Sequence, residues 1–403
     1  TPTPFVDLAH RYIEEEFGLD WKERFVVWDC AWGTGNLTRD YKFKELYAST
    51  LEQSDIDTAD QMGYNPEATR FQFDFLNDPD SELPQGLQDA INNGKEILFL
   101  INPPYARSAS NGSTNKVEKG SGNSVMGNEM KNNKWGACSA NLYAQFLYRI
   151  YKFEKENKNL KIGIFCQPNY LTSSSYKKFR QKFMNEFNYR NGFLFEASNF
   201  SDVSKDWGIN FAIFDSGKSI DIEKFKTDIV GYNNMYELSL SDTKMLYNLD
   251  KHKSLSKWIL NEEKPVEFPK LSSSLRVKET KYGCGMPNNS FGTLVANSNN
   301  IGKNTQSVYI VNGGISENVG KTFISKDNFI ESIILFSSRR LIQSNWINWQ
   351  DQYFTPNEDH PLYEQFTYDS IIYSLFESKS NQSSLRQVDY KDKKWDIKNE
   401  FFW

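Results

Sequence analysis

Histidine and cysteine are scarce in this chain. It holds three histidines (His10, His252, His360) and four cysteines (Cys30, Cys138, Cys166, Cys284) in 403 residues, with no C-x-x-C pair. Those numbers exclude a disulfide framework and argue against a zinc site or any other metal centre. A reducing, cytoplasmic setting is the corresponding expectation. No apolar run approaches the roughly 18 residues that a membrane span requires, and no signal peptide is visible. No membrane partner is therefore expected. Basic residues are not in excess either: 47 Lys and Arg stand against 52 Asp and Glu, a net charge of −5. This excludes a wholesale polycation but leaves room for a local basic face. The chain opens at Thr1 without methionine and stops at Trp403, so it is expected to be part of a longer protein.

Aromatic residues, by contrast, are plentiful at 15% of the chain. The length exceeds what one typical core accommodates, so two domains are expected. The run Glu96-Ile97-Leu98-Phe99-Leu100-Ile101 follows turn-forming Asn92-Asn93-Gly94 and reads as a buried parallel strand. Its carboxyl end presents Asn102-Pro103-Pro104-Tyr105, at the place where open α/β sheets hold ligands. The prolines fix their own φ angles and push Asn102 into an extended conformation. Neither can donate a backbone hydrogen bond, so the bracket is rich in acceptors. An exocyclic amine on a planar base is a poor nucleophile, because its lone pair is conjugated with the ring. The Asn102 side-chain oxygen and the Pro103 carbonyl could accept its two N–H bonds and let the nitrogen become tetrahedral. Tyr105 would then stack on the extruded base. The competing reading is that Pro-Pro ends a strand and Tyr105 packs nearby.

Upstream strands fit the same scheme. Phe25-Val26-Val27-Trp28 leads into Asp29-Cys30-Ala31-Trp32-Gly33-Thr34-Gly35, whose glycines allow a tight strand-to-helix turn and close backbone approach to a ligand. An acid at that strand end would repel phosphate and suits a cation. Leu46–Leu51 ends in Glu52, placed where nucleotide-binding α/β units bond ribose hydroxyls, with Asp55 and Asp57 as alternatives. Thr69–Phe73 ends at Asp74-Phe75, an acceptor beside a ring. Each could instead be an ordinary loop acid or core aromatic.

Taken together, these residues resemble the S-adenosylmethionine-dependent amino-methyltransferases of DNA, in the γ order of the N6-adenine group. The resemblance covers roughly the first half. Thr1-Pro2 resembles the opening segment over the methionine end of the cofactor. Asp29 to Thr38 is similar to D-P-x-x-G-x-G, with Cys30 in place of proline. Asp29, Gly33, Gly35, Glu52, Asp74, Phe75 and Asn102 fall on cofactor-binding positions, and Asn102 to Tyr105 on the catalytic tetrapeptide. The resemblance also implies an aromatic against the cofactor's adenine, best fitted by Phe146 in the helical stripe Leu142, Phe146, Ile150. A second aromatic against the target base is implied, best fitted by Phe200, with Trp207 in reserve. N-P-P-Y is shared with glutamine methyltransferases of release factors.

From Ala106 to Ala140 the composition turns to Ser, Gly, Asn and Lys, which reads as a mobile loop. Arg107, Lys116 and Lys119 there are candidate phosphate contacts, with Lys131 and Lys134 alongside; a plain insert is the alternative. Ile162–Cys166, Gly192–Glu196 and Ile209–Phe214 read as further strands, the last two as an antiparallel pair. Beyond residue 235 the strand-helix alternation stops. Ser307–Val311 and Lys321–Ile324 flank Asn312-Gly313-Gly314, a hairpin signal. Arg339-Arg340 near Trp346, Trp349 and Tyr353 are candidate DNA contacts. Asp369 with Glu377-Ser378-Lys379 imitates a nuclease motif, but Ile371, Ile372, Leu375 and Phe376 have helical spacing.

The expected architecture is α/β, a Rossmann-like methyltransferase fold with a mostly parallel seven-stranded sheet and one antiparallel strand over residues 1–235. A mixed α+β target-recognition domain is expected over 236–403. The resemblance implies S-adenosylmethionine as cofactor, double-stranded DNA as partner, a bacterial or phage source, and an accompanying or fused restriction endonuclease. N4-cytosine methylation, glutamine N5-methylation of protein and a methylation-dead DNA-specificity subunit are the alternatives.

Overall fold

The computed structural model describes residues 1–105, 124–200, 207–249, 252–260, 290–303, 308–311, 320–377 and 385–397. They form two compact units, Thr1–Asn248 and Leu249–Trp403.

The first unit is built on one nine-stranded sheet. Its strands are β1 (Val26–Asp29), β2 (Glu45–Thr50), β3 (Thr69–Gln72), β4 (Ile97–Ile101), β5 (Leu160–Cys166), β6 (Phe187–Glu196), β7 (Gly208–Ser216), β8 (Lys224–Tyr232) and β9 (Leu238–Tyr247), in the order β3-β2-β1-β4-β5-β7-β6-β8-β9. The first five in sequence run parallel, and β7 is antiparallel to both β5 and β6. Seven strands were expected. The other two arise because β8 pairs with the outer edge of β6 and β9 folds back on β8. Phe225, Thr227 and Ile229 alternate inward along β8, which turns an exposed edge into an interior strand. The expected boundary after residue 235 correspondingly moves to 248.

Helices α1 (Thr3–Phe17), α2 (Trp21–Arg24), α3 (Gln53–Met62), α4 (Gln85–Asn92), α5 (Val125–Asn132), α6 (Leu142–Phe153), α7 (Asn169–Thr172) and α8 (Lys177–Phe183) accompany the sheet. Strand β4 is buried at every position. Its side chains nevertheless divide between two cores: Ile97, Phe99 and Ile101 with residues of α4, α5, α6 and α8, Leu98 and Leu100 with residues of α1 and α2. This two-sided burial is why the strand reads as an unbroken apolar run. Aromatic rings fill much of both cores. Trp28 lies 5.2 Å from Phe99 and 5.3 Å from Phe75, and its indole N–H donates to Ser49 Oγ at 3.1 Å.

Two local expectations change. Residues 30–44 contain no helix; they form successive turns before β2 begins. Trp32 and Leu37 are buried, the Trp32 indole donates to Thr38 Oγ1 at 3.0 Å, and Asn65 Nδ2 donates to the Thr38 and Tyr41 carbonyls. The connection is fixed by these side-chain hydrogen bonds and by burial of Trp32 and Leu37. The second half of the loop expected over 106–140 is also ordered. Ser124 caps α5 by accepting the Gly127 N–H, and Met126, Met130, Trp135 and Cys138 are buried. Their spacing supplies an apolar face that the surrounding Asn and Lys obscure.

The second unit contains a three-stranded sheet of β10 (Ser290–Ala296), β11 (Val308–Val311) and β12 (Lys321–Ser325), in the order β11-β10-β12. The expected hairpin between β11 and β12 is not formed, because β10 lies between them and is antiparallel to both. Helix Phe329–Leu341 packs Ile333, Leu335 and Phe336 into the core of this unit. Asp369 lies in helix Tyr363–Phe376, which answers the helical spacing there and not a nuclease strand. Strands β13 (Leu385–Tyr390) and β14 (Lys393–Ile397) pair separately. Among the described residues no helix is long and apolar enough to cross a membrane.

Candidate active site

The carboxyl ends of β3, β2, β1 and β4 open onto one cavity of about 360 Å³. Cys30, Ala31 and Gly33 line it after β1, Thr50 and Leu51 at β2, Phe73 to Leu76 after β3, Asn102 and Pro104 after β4, and Leu142 and Phe146 from α6. Its size suits a small organic ligand, and its position is the strand-end crevice typical of open α/β sheets.

Asn102 is half-buried and fixed at both ends of its amide. Its Nδ2 donates to Thr1 Oγ1 at 2.8 Å, and its Oδ1 accepts the Tyr105 hydroxyl at 2.7 Å. Burial raises the Tyr105 phenol well above its ordinary value, so it is a donor at every physiological pH. The expected acceptor is therefore present at the cavity wall, but in this state Tyr105 already occupies it. Thr1 is thereby joined to the Asn102–Tyr105 bracket, and Pro2 caps α1, whose Phe5 stacks on Phe195 at 4.1 Å.

Asp29 closes β1 and is buried, at 1% exposure. Its Oδ1 accepts the Ala31 N–H at 3.2 Å, while loss of solvation pushes the carboxyl up to about 8. It lies beneath the turn, and the wall itself is made by Cys30, Ala31 and Gly33. Gly33 and Gly35 both have positive φ, at +53° and +76°. A Cβ on Gly35 would come within 2.9 Å of the Trp32 indole, so Gly35 serves the packing of the turn and Gly33 the wall.

Glu52 is exposed and stands at the start of α3, next to the lining residue Leu51. Asp74 is committed within its own loop: Oδ1 accepts the Leu76 N–H at 2.9 Å and Oδ2 accepts Asn77 Nδ2 at 2.7 Å. Phe75 and Phe146 both reach the cavity and stack on each other, centroids 5.0 Å apart and planes 21° apart. That separation leaves no room for a ring between them, so they form a single apolar wall. Arg149, absent from the expectations, holds this wall together. It is 2% exposed, donates to the Phe75 carbonyl at 2.6 Å, the Asp78 carbonyl at 2.8 Å and Asp80 Oδ1 at 2.5 Å, and lies over the Phe73 and Phe75 rings. Its one trace in the sequence is a cation on the apolar stripe of Leu142, Phe146 and Phe153.

The ring beside Tyr105 is Trp207, edge-on at 5.9 Å, and not Phe200. Phe200 packs against Phe195 at 5.4 Å and Phe5 at 6.4 Å. Helix α1 supplies the apolar surface that draws Phe200 inward, so the reserve residue takes the position facing the bracket. Arg107, Lys116 and Lys119 lie outside the described residues. Arg339 and Arg340 are corrected as DNA contacts, because both are used within the second unit. Arg339 is fully buried; it donates to the carbonyls of Ser298 and Lys303, and burial lowers it to about 10. Arg340 donates to the Val308 carbonyl and pairs with Glu377 at 3.2 Å.

No protein-family model and no curated protein matches this chain. Solved structures with a similar arrangement include a type I restriction-modification system methyltransferase subunit from Streptococcus thermophilus, at 16% identity and a TM-score of 0.42, covering 60% of this chain and 50% of that one. The ATP-dependent Type ISP restriction-modification enzyme LlaBIII bound to DNA is 12% identical with a TM-score of 0.43, over 73% of this chain and 24% of that one. The type IIG restriction endonuclease BpuSI is 15% identical with a TM-score of 0.42, over 62% and 31%. The chain thus spans half or less of these proteins, and likenesses of this size do not by themselves define an activity.

Proposed function

We propose that this chain is a DNA methyltransferase that transfers a methyl group from S-adenosylmethionine to the exocyclic amine of an extruded base, with adenine N6 as the target. The observation that carries the reading is the Asn102 amide, oriented by Thr1 at the wall of a strand-end cavity and flanked by Pro103, Pro104 and Tyr105. The cavity fits the cofactor in size and in chemistry: an apolar wall of Phe75 and Phe146 for a purine, an exposed acid at Glu52 for hydroxyls, and a buried acid at Asp29 near the turn. When bound, S-adenosylmethionine would supply an electrophilic methyl on a sulfonium.

The protein's own contribution is positional and electrostatic. Asn102 Oδ1 and the Pro103 carbonyl accept the two N–H bonds of the amine and free its lone pair from the ring. Tyr105 and Trp207 hold the base out of its stack. After transfer the nitrogen loses its surplus proton to solvent, because the two carbonyl acceptors orient the amine but are too weakly basic to keep a proton. The second unit is proposed to recognise the DNA sequence, and a companion restriction endonuclease belongs to the same reading, on the resemblance of the motifs in residues 1–105.

The test is mass analysis of nucleosides from duplex DNA incubated with the protein and S-adenosylmethionine. N6-methyladenine is expected, and Asn102→Ala should reduce it by about 100-fold or more while cofactor affinity, read by calorimetry, holds. N4-methylcytosine would transfer the same geometry to the other amine. No methylated nucleoside in any duplex sequence would overturn the reading.

A further inference from the structure

Two stretches of the first unit carry no acidic side chain. From Met130 to Phe153, and again from Asn157 to Asn185, there is no aspartate or glutamate, in a chain that carries 52 of them. Some cations of these stretches are used internally: Arg149 and Arg180 are buried, Lys152 pairs with Glu129 at 2.9 Å and Lys158 with Glu154 at 2.7 Å. Lys161 lies in β5 near the Phe17 ring, while several other lysines of these stretches lie where the end of α5 meets α8. Lys182 Nζ donates to the Asn133 carbonyl at 2.6 Å and lies 5.4 Å from the centre of the Trp135 ring. Lys178 packs its Cβ about 3.7 Å from the position a Cβ on Gly136 would take. Lys134, with Lys131 one turn before it, is exposed on the same rim, and Lys177 adjoins Lys178 on α8. The neighbouring carboxylates, Glu129 and Glu186, face Lys152 and Lys158.

This patch has a fixed relation to the cavity. The Met126 N–H donates to the carbonyl of Leu76, a lining residue, and the Val125 N–H donates to Asn77 Oδ1. Helix α5 therefore starts at the cavity rim and ends at the lysines, a span of about 12 Å for its 8 residues. Phosphates on one strand of a duplex recur at intervals of about 3.4 Å along its axis, so a strand that delivers a base to the cavity carries several phosphates within that distance.

We propose that Lys134, Lys178 and Lys182 form a phosphate-contacting surface that engages the nucleic-acid backbone beside the extruded base. The inference rests on the function proposed above. The surface adds affinity without reading sequence, because lysine contacts to phosphate are electrostatic and release counterions.

The experiment measures binding of a fluorescent duplex by anisotropy between 50 and about 300 mM salt for the intact chain, the triple variant Lys134→Gln, Lys178→Gln, Lys182→Gln, and a control. The control is Lys42→Gln, Lys44→Gln, which lies before β2 at the opposite end of the strands. The triple variant should bind about 10-fold or more weakly at 100 mM salt, with the slope of log K against log salt reduced by about 0.9 for each lost contact. Its S-adenosylmethionine affinity should match the parent, its melting temperature should fall by no more than a few degrees for the lost Lys182 contacts to Asn133 and Trp135, and the control should bind as the parent does. A parent that methylates DNA and a triple variant with unchanged slope would overturn this inference alone. A parent that neither binds nor methylates DNA would overturn it together with the function on which it rests.

Discussion

The hydroxyl of Tyr105 donates a 2.7 Å hydrogen bond to the side-chain oxygen of Asn102, the atom assigned to receive the target amine. The two donors compete for one acceptor, so Tyr105 must release Asn102 as the base enters. Tyr105→Phe keeps the ring and removes the competitor. Its KM for DNA should stay level or fall by up to about tenfold, with kcat within about threefold of the parent, measured by transfer of a labelled methyl group. Tyr105→Ala also removes the ring and should lower kcat/KM by tenfold or more. A rise of more than tenfold in KM for Tyr105→Phe would show that the hydroxyl assists binding.

Trp207, edge-on to Tyr105, is assigned to the extruded base in place of Phe200. A duplex with 2-aminopurine at the target position brightens when that base leaves the stack. Trp207→Ala should abolish most of the increase. Phe200→Ala should retain it, while losing about 3 kcal/mol of stability or somewhat less, since Phe200 is only partly buried against Phe5 and Phe195. The opposite pattern would return Phe200 to the site.

Asp29 should make stability depend on pH in a direction opposite to that of a salt-bridged acid. Burial raises its carboxyl from 3.8 to about 8, so the folded chain keeps a proton that the unfolded chain releases. The stabilisation is complete below about pH 4 and is lost as pH rises through about 8. Asp29→Asn cannot ionise, so urea unfolding at pH 5, 7 and 9 should show a flatter profile for the variant than for the parent. Binding of a cationic ligand near Asp29 should release a proton at pH 7, visible as a calorimetric enthalpy that varies with buffer. Parallel profiles for parent and variant would remove Asp29 from this role.

Arg149 positions the wall that carries Phe73 and Phe75. Arg149→Ala should raise KM for S-adenosylmethionine by tenfold or more, while kcat at saturation falls by less than about threefold. Added guanidinium should restore part of the affinity, because the three acceptors stay in place around the vacated pocket. An Arg149→Ala protein with normal KM would mean that the loop after β3 holds its shape unaided.

The parts of the site legible in the sequence are those in which chemistry and geometry are local. Asn102 to Tyr105 stand at the end of an apolar run, and the prolines declare the bracket without help from distant residues. Gly33 and Gly35 likewise announce their positive φ. Arg149 was illegible because its acceptors are carbonyls and a carboxylate some seventy residues away in sequence, at separations of 69 to 74. The choice between Phe200 and Trp207 depends on packing against α1, which motif spacing does not encode. In the second unit, Asn312-Gly313-Gly314 resembled a tight turn, yet β10 arrives from earlier in the chain to separate the strands. Arg339 and Arg340 looked like surface cations because a sequence shows charge and not depth.

The turn-only path between β1 and β2 has a consequence for ligand choice. A Rossmann-type nucleotide site aims a helix N-terminus at its ligand, and the partial positive charge there welcomes pyrophosphate. Here residues 30–44 provide no such dipole, and an acid sits directly beneath. Nucleoside triphosphates therefore gain no dipole attraction here, and they meet repulsion as well once pH rises through about 8 and Asp29 ionises, so uncharged or cationic adenosine derivatives should be the tighter competitors.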